Sequence, residues 1–247
     1  MNYKIIAHRG ESFDAPENTL ASINLAWERS AGAVEIDVHL SRDNRVVAIH
    51  DSTTKRTGGL NKKVKNQTVS ELKLLDVGSW KNIKYKDERI PTLIEILKTV
   101  PEKKRLIIEI KSGKKSVPFL KYEILQSKIS PSQVEVISFD YNVIKIAKKL
   151  MPEIKMLYLA ELDYSWMSKL LSPPVEKLIE KVKKADLEGL NVWSGEILDQ
   201  EFVGKVKQSG LLLYVWTVND PARAKELISW GVDGITTDRA AWMKQQL

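Results

Sequence analysis

The sequence contains no cysteine and only three histidines among its 247 residues. The missing thiols exclude disulfide bridges, iron–sulfur clusters, thiolate zinc sites and a cysteine nucleophile. Any metal ion would have to be held by carboxylates, carbonyl oxygens or the histidines His8, His39 and His50. Glycine and proline are also scarce, with 12 and 9 residues, and this scarcity excludes collagen-like and low-complexity chains.

Long hydrophobic runs are missing as well. No stretch reaches the roughly 18 apolar residues that suggest a membrane-spanning helix. The first residues lack the apolar core and small-residue cleavage site of a signal peptide. We therefore expect a cytoplasmic protein with no stable insertion into a membrane. The chain has 39 basic and 32 acidic residues, and because its lysines are spread along the chain, this excess favours solubility more than a specific anionic partner.

Short apolar runs alternate with amphipathic stretches along the whole chain. The runs are rich in β-branched and aromatic residues, as expected of buried parallel strands. They are Tyr3–Ala7, Val34–Leu40, Leu106–Ile110, Val134–Phe139, Met156–Ala160, Leu187–Trp193, Leu211–Thr217 and Gly234–Thr237. The helical patterns are Thr19–Arg29, Thr92–Val100, Asn142–Leu150, Val175–Lys184, Asp199–Lys207 and Pro221–Trp230. This alternation predicts an α/β protein, a (β/α)8 TIM barrel that forms one domain over residues 1–247.

An open doubly wound sheet is the alternative fold. Such a sheet usually has a glycine-rich phosphate-binding turn after its first strand, and Gly10-Glu11-Ser12 is not one. The closed barrel is therefore the preferred interpretation.

The segment after the second strand breaks the alternation. Residues 41–45 are polar and too few for a crossover helix, so Val46–Ile49 is predicted to pair antiparallel with the second strand. If the turn is centred near Asp43 and Asn44, His50 lies opposite Asp37. Residues 51–90 are polar and irregular, and we expect them to form a small insertion over one face of the barrel.

Acidic side chains gather at the carboxyl ends of the predicted strands, where barrel proteins place their functional residues. Glu35 and Asp37 are two residues apart in one strand and so project to the same face, and Glu109 lies in the next barrel strand. Buried carboxylates are costly unless they are neutralised. A divalent cation, Mg²⁺ or Ca²⁺, would neutralise them, and the alternative is a buried ion network with Arg9 and Lys111.

His8 and His50 end predicted strands beside these carboxylates. Both are candidates for a general acid and a general base, since histidine titrates near neutral pH. His39 lies four residues after Glu35 on the same face, and it is either a support for the metal ligands or a plain structural residue. Arg9 and Lys111 are suited to contact phosphate oxygens. Together these residues favour a phosphate ester as substrate.

Eight short motifs follow one another along the chain. They are His8-Arg9-Gly10, Ala15-Pro16-Glu17-Asn18-Thr19, Glu35-Ile36-Asp37-Val38, His50-Asp51, Glu109-Ile110-Lys111, Ser138-Phe139, Trp216-Thr217-Val218-Asn219 and Asp233-Gly234-Ile235-Thr236-Thr237-Asp238. In this order they resemble the glycerophosphodiester phosphodiesterase family over essentially the whole chain. Two positions depart from the family pattern: His39 replaces a polar residue such as glutamine, and Asp43-Asn44 replaces Asp-Gly.

The resemblance implies a metal-dependent enzyme that hydrolyses glycerophosphodiesters to glycerol 3-phosphate and an alcohol. It implies that the three carboxylates hold Mg²⁺ or Ca²⁺ and that His8 and His50 form the acid–base pair. The side chains that would contact the substrate are Arg9, Lys111, Phe139 and Trp216. It also implies a barrel with a small insertion after the second strand, in agreement with the break in the alternation.

The nearest alternative function is that of a relative with the same barrel and a lipid substrate. A lysophospholipase D, a sphingomyelinase D or a phosphatidylinositol-specific phospholipase C would favour an exposed apolar rim, for which Tyr164-Ser165-Trp166-Met167 and Leu170-Leu171 are candidates. A basic binding protein for phosphorylated ligands or nucleic acid would need aromatic residues among its lysines, and these are few. We therefore expect a small-molecule phosphodiester substrate and no nucleic-acid partner, and the oligomeric state stays open.

Overall fold

The computed structural model describes residues 4–161, 175–195 and 198–247. Within these ranges, eight parallel strands form a closed barrel surrounded by helices, so the predicted (β/α)8 fold is confirmed. Strand β1 pairs with both β2 and β9, which closes the ring. In chain order the strands are β1 (Lys4–His8), β2 (Ala33–Leu40), β3 (Val46–Ala48), β4 (Arg105–Ile110), β5 (Val134–Ser138), β6 (Lys155–Ala160), β7 (Gly189–Trp193), β8 (Leu212–Trp216) and β9 (Gly234–Thr237).

The helices begin at side chains that cap their free amide groups. Thr19 accepts a hydrogen bond from the Ser22 N–H at the start of α1, and Asp220 caps α9, whose first residue is proline. The helices are α1 (Leu20–Glu28), α2 (Lys55–Gly58), α3 (Val69–Leu72), α4 (Leu93–Leu97), α5 (Val117–Ser127), α6 (Tyr141–Leu150), α7 (Val175–Lys184), α8 (Gln200–Gln208), α9 (Pro221–Trp230) and α10 (Ala240–Gln246). In the described ranges, no helix is long and apolar enough to cross a membrane.

Helix α5 was not among the predicted helices. Its buried apolar side chains recur at helical spacing, but Tyr122 and Leu125 on its outer face are 62% and 60% exposed. These two apolar residues blur the contrast between faces on which the recognition of an amphipathic helix depends.

Alternation along the strands sorts their side chains into two layers. One set faces outward and packs against the helices, while residues such as Ile6 and Ile107 face inward and fill the barrel. At the amino end, Glu135 Oε1 lies 2.8 Å from Lys4 Nζ and 3.2 Å from Arg105 Nη1. Lys4 also donates a hydrogen bond to the hydroxyl of the fully buried Tyr214. These four side chains form the barrel floor.

Strand β3 runs antiparallel to β2, as predicted, but the predicted register is wrong by one residue. Val38 pairs with Ala48, so the residue opposite Asp37 is Ile49, whose N–H donates to the Asp37 carbonyl at 3.0 Å. His50 consequently lies one residue beyond the position opposite Asp37.

The turn between β2 and β3 explains the shift. The Ser41 N–H donates to the Arg45 carbonyl at 2.9 Å, so the chain reverses over the three residues 42–44. Asn44 adopts the left-handed conformation with φ of 59°, as three-residue hairpin loops require of their last residue. Asparagine tolerates this conformation, so the turn forms without the glycine that the family usually has.

The insertion after the hairpin packs on a small core of its own. It contains α2, α3 and two short 3₁₀ turns, and its core includes Val64, Leu72, Val77 and Ile90 together with apolar side chains of the hairpin. The chain then rejoins the helical layer at α4.

Candidate active site

The inward-facing side chains at the carboxyl end of the barrel surround a pocket of about 250 Å³. Eight of the nine predicted site residues line it, and Asp37, 1% exposed, lies among them but does not reach its surface. The pairing of β1 with β2 sets His8 beside Glu35, and the pairing of β2 with β4 sets Asp37 beside Glu109. A larger cavity, of about 360 Å³, opens at the amino end of the barrel, but among the described residues no acidic side chain lines it.

Three carboxylates meet at the base of the pocket. Glu35, Asp37 and Glu109 are all buried, and each brings one oxygen to within 4.8 Å of the others. Lys111 Nζ lies 2.8 Å from Glu109 Oε1 and 3.4 Å from Asp37 Oδ1. Arg9 Nε lies 3.0 Å from Asp37 Oδ2, at an angle outside hydrogen-bond geometry. The buried ion network that the sequence offered as an alternative is therefore present. It contains two cationic side chains and three carboxylates, so its charges do not balance.

The excess negative charge acts on the pKa values of two of the three carboxyl groups. Burial, followed by the charges of Asp37 and Glu109, raises the pKa of Glu35 well above its ordinary value. Burial and the charge of Asp37 raise the pKa of Glu109 to about 7. Burial acts on Asp37 in the same direction, but Arg9 and Lys111 outweigh it and hold the pKa of Asp37 below its ordinary value. Carboxylate oxygens with this surplus of charge are the donors that Mg²⁺ and Ca²⁺ prefer.

The carboxylates are held by backbone and amide groups of the first βα loop. Asn18 Nδ2 donates to Asp37 Oδ2 at 2.9 Å, and the Asp37 N–H donates back to Asn18 Oδ1 at 3.0 Å. The Arg9 N–H donates to Glu35 Oε2 at 3.1 Å. Gly10 permits this loop, because its φ is 85° and a Cβ there would lie 2.5 Å from the backbone of α1. Asn18 belongs to the motif at residues 15–19, but nothing in the sequence predicted this role for it.

His8 and His50 both line the pocket, and each is oriented by a carboxylate. His8 Nδ1 lies 2.6 Å from Asp238 Oδ1, and His50 Nδ1 lies 2.7 Å from Asp51 Oδ1. A carboxylate accepts the Nδ1 proton and so leaves Nε2 of the neutral ring as an acceptor. Burial lowers the pKa of His50, which favours its neutral, basic form.

Asp238 and Asp51, which orient the two histidines, both lie in motifs of the sequence, but their roles were not predicted from it. Burial raises the pKa of Asp238, but hydrogen bonds from His8, Asn219 and Ser12 outweigh it and lower that pKa to about 2. A hydrogen bond from Arg56 is the largest cause that lowers the pKa of Asp51 to about 2. Both carboxyls are therefore ionised at neutral pH and can hold a histidine ring in place.

His39 lies outside the pocket. Its Nε2 donates to the His50 carbonyl at 3.1 Å, and burial lowers its pKa. It therefore supports the backbone that carries His50. From the sequence, His39 is either a support for the metal ligands or a plain structural residue. Among the described residues, His39 makes no hydrogen bond to the three carboxylates, so the structure gives no direct contact for the first interpretation.

An aromatic wall completes the described part of the pocket. Phe139 and Trp216 pack edge to face with ring centroids 5.7 Å apart, and Lys111 Nζ lies 5.8 Å from the Phe139 centroid. Two buried polar atoms, Trp216 Nε1 and Asn191 Oδ1, have no hydrogen-bond partner among the described residues. The candidate apolar rim, Tyr164-Ser165-Trp166-Met167 and Leu170-Leu171, lies outside those residues.

The sequence and the fold both match one family. Residues 8–241 match the glycerophosphoryl diester phosphodiesterase family. A glycerophosphodiester phosphodiesterase of Caldanaerobacter subterraneus subsp. tengcongensis is 34% identical over 244 residues, which cover 96% of this chain and 95% of the relative. A phosphodiesterase of Oleispira antarctica, solved in complex with the product sn-glycerol-3-phosphate, matches with a TM-score of 0.88 at 30% identity and covers 98% of this chain and 96% of its own.

A more distant structure has the same architecture. The glycerophosphodiester phosphodiesterase of Thermotoga maritima matches with a TM-score of 0.79 at 28% identity, over 100% of this chain and 99% of its own. The family match spans most of the chain, and the relatives are covered over nearly their full lengths. The chain therefore belongs to the glycerophosphoryl diester phosphodiesterase family and is a phosphodiester hydrolase.

Proposed function

We propose that this protein hydrolyses glycerophosphodiesters to glycerol 3-phosphate and an alcohol with the help of Mg²⁺ or Ca²⁺. The observation that carries the proposal is the convergence of three buried carboxylates and two carboxylate-bound histidines on one pocket of about 250 Å³. The sn-glycerol-3-phosphate bound by the Oleispira relative supports the identity of the product.

Glu35, Asp37 and Glu109 would hold the cation, because they form an acidic cluster whose charge two basic side chains leave incompletely balanced. When bound, a divalent cation polarises a phosphoryl oxygen and lowers the pKa of a bound hydroxyl group. Arg9 and Lys111 reach into the same pocket and suit the remaining phosphate oxygens.

The histidines would move the protons. We assign His50 as the base, because burial favours its neutral form; its Nε2 accepts the proton of the attacking hydroxyl. If water attacks, glycerol 3-phosphate forms directly. If a glycerol hydroxyl attacks, a cyclic phosphate forms and water then opens it to glycerol 3-phosphate. His8, held by Asp238, gives a proton to the oxygen of the departing alcohol. The orphaned donor of Trp216 and acceptor of Asn191 are available to the glycerol hydroxyls.

The deciding experiment is a panel of glycerophosphodiesters assayed with Mg²⁺, with Ca²⁺ and with a chelator, with release of glycerol 3-phosphate as the readout and release of choline as a second readout for the choline esters. The panel includes glycerophosphocholine beside lysophosphatidylcholine, which separates a water-soluble substrate from the lipid alternative. Turnover of lysophosphatidylcholine alone would overturn the proposed substrate. Full activity after exhaustive chelation would overturn the cation.

We expect bound Mg²⁺ or Ca²⁺ to raise the melting temperature more at high pH than at low pH. In the folded protein, burial and neighbouring charge raise the pKa of Glu35, and that of Glu109 to about 7, above the roughly 4.3 of an unfolded glutamate. The cation-free protein therefore loses stability as pH rises from about 4.3 through about 7, because the fold must give up protons that it binds better than the unfolded chain does.

Differential scanning fluorimetry checks this expectation, with the cation against a chelator at about pH 5.5 and about pH 8. The shift in Tm should be larger at the higher pH, since a cation replaces those protons. The double variant Glu35→Gln, Glu109→Gln should show neither the shift nor its pH dependence. A shift of the same size at both pH values would contradict the assignment of these carboxylates.

A further inference from the structure

A third cavity, of about 710 Å³, adjoins the active-site pocket and is strongly basic. Among the described residues that line it, no aspartate or glutamate occurs. We call it the basic groove, and its six lysine and arginine side chains are Arg42, Lys63, Lys65, Lys111, Lys114 and Lys115.

Four of these side chains have no counter-charge. Arg42 lies 3.1 Å from Glu71, and Lys111 belongs to the carboxylate cluster. In the part of the chain that the structure describes, the other four lysines have no carboxylate within 4.0 Å. Like charges that converge in this way repel one another, and an anionic ligand would relieve the repulsion.

The lysines stand on two separate elements. Lys63 and Lys65 belong to the insertion, whereas Lys114 and Lys115 follow β4 and precede α5. The amino end of α5, a helix of 11 residues, lies at the same place and adds the positive end of its dipole. An anion in the groove would therefore be contacted from two sides.

The basic groove and the pocket meet at Lys111, which lines both. A substrate bound at the carboxylates would have to extend past Lys111 to reach the groove. The groove has no phenylalanine, tyrosine or tryptophan in its lining, and Leu40 is its one large apolar side chain among the described residues. This composition suits a small phosphorylated group and disfavours base stacking or insertion into lipid.

We propose that the basic groove binds a second anionic group carried by the substrate, so that this enzyme prefers glycerophosphodiesters whose leaving alcohol itself bears a phosphate. The proposal rests on the proposed function, which sets the scissile phosphate at the three carboxylates. Lysines on two sides of the groove can make charge-assisted contacts to several phosphate oxygens. Because these lysines are exposed, their contribution weakens as salt is added.

The test compares glycerophosphoglycerol with the same diester phosphorylated on the terminal hydroxyl of its leaving glycerol. At low salt we expect kcat/KM to be about tenfold or more higher for the phosphorylated substrate, and the advantage should shrink as KCl is added. The quadruple variant Lys63→Gln, Lys65→Gln, Lys114→Gln, Lys115→Gln should abolish the advantage and leave glycerophosphoglycerol turnover unchanged.

A charge-matched variant controls for the loss of four positive charges. Its substitutions are Lys177→Gln, Lys183→Gln, Lys184→Gln and Lys225→Gln, all at exposed positions of α7 and α9, and it should keep the advantage. The proposal is overturned if the two substrates have equal kcat/KM at low salt or if the control loses the advantage as well. It is also overturned if the groove lysines govern binding to phosphatidylglycerol vesicles but not the choice between substrates.

The same assay separates this proposal from the proposed function. Turnover of glycerophosphoglycerol without any gain on phosphorylation removes only the role of the groove. If the enzyme turns over neither of the two diesters, both the proposed function and the role of the groove are overturned.

Discussion

Glu109→Gln and Asp37→Asn should each lower the turnover of glycerophosphodiesters by about 10³-fold or more. Each substitution removes one of three negative ligands from the proposed cation site, and a bound cation contributes several kcal/mol to the stabilisation of transition-state charge, at about 1.4 kcal/mol for each tenfold in rate. The affinity for Mg²⁺ or Ca²⁺ should fall together with kcat. Measurements of kcat against cation concentration, with circular dichroism to follow folding, check both effects.

The two substitutions should differ in their effect on stability without the cation. Glu109 has a pKa of about 7 and is partly protonated at neutral pH, so glutamine replaces it at little cost. Asp37 is held ionised by Arg9 and Lys111, so asparagine leaves two partly buried cations with less compensation and lowers the melting temperature. A third variant, Glu135→Gln on the barrel floor, is the matched control and should leave the cation dependence intact. Glu109→Gln that keeps turnover within a few-fold of the parent would refute the cation site.

His8→Ala and His50→Ala should each lower kcat by about 10²–10⁴-fold, the usual contribution of one positioned proton carrier. The two variants should respond differently to the leaving group. The nitrophenolate group of a nitrophenyl ester of glycerol phosphate leaves without protonation. This substrate should therefore restore turnover in His8→Ala, which lacks the acid. It should not restore turnover in His50→Ala, which lacks the base. Parallel measurements of kcat for this ester and for glycerophosphocholine give the comparison.

The pH profile of kcat/KM adds an independent readout. The rate should rise and then fall with pH, because the base must be neutral while the acid is protonated. The rising limb should disappear in His50→Ala. His39→Gln is the matched control, since His39 lies outside the pocket and touches the backbone of His50. If the rising limb persists unchanged in His50→Ala, the assignment of His50 as the base is wrong.

The barrel and the inward-facing residues of its site could be predicted because both depend on local patterns. The spacing of two between Glu35 and Asp37 fixes their common face whatever the rest of the chain does. The hairpin register could not be predicted, because a two-residue and a three-residue turn differ by one position and the polar residues 42–44 suit either. Helix α5 was hidden by apolar side chains on its exposed face.

The contacts that orient the histidines could not be predicted for another reason. His8 and Asp238 are 230 positions apart and meet only because β9 pairs with β1 when the barrel closes. Asp51 adjoins His50 in sequence, but its second partner, Arg56, is oriented by the fold of the insertion. Local patterns thus point to the proposed reacting groups, whereas the groups that orient them depend on ring closure and on the insertion.

The barrel floor determines by which route the substrate enters and the products leave in the proposed reaction. Within the described residues, Lys4, Arg105, Glu135 and Tyr214 fill the amino end of the barrel, so the mouth at the carboxyl end serves for both arrival and departure. When an active-site pocket has a single opening, the product nearer to that opening must leave before the product bound deeper in the pocket. In the proposed reaction we therefore expect the alcohol to leave first, from its position past Lys111, and glycerol 3-phosphate to leave last, from the position that the next substrate must occupy.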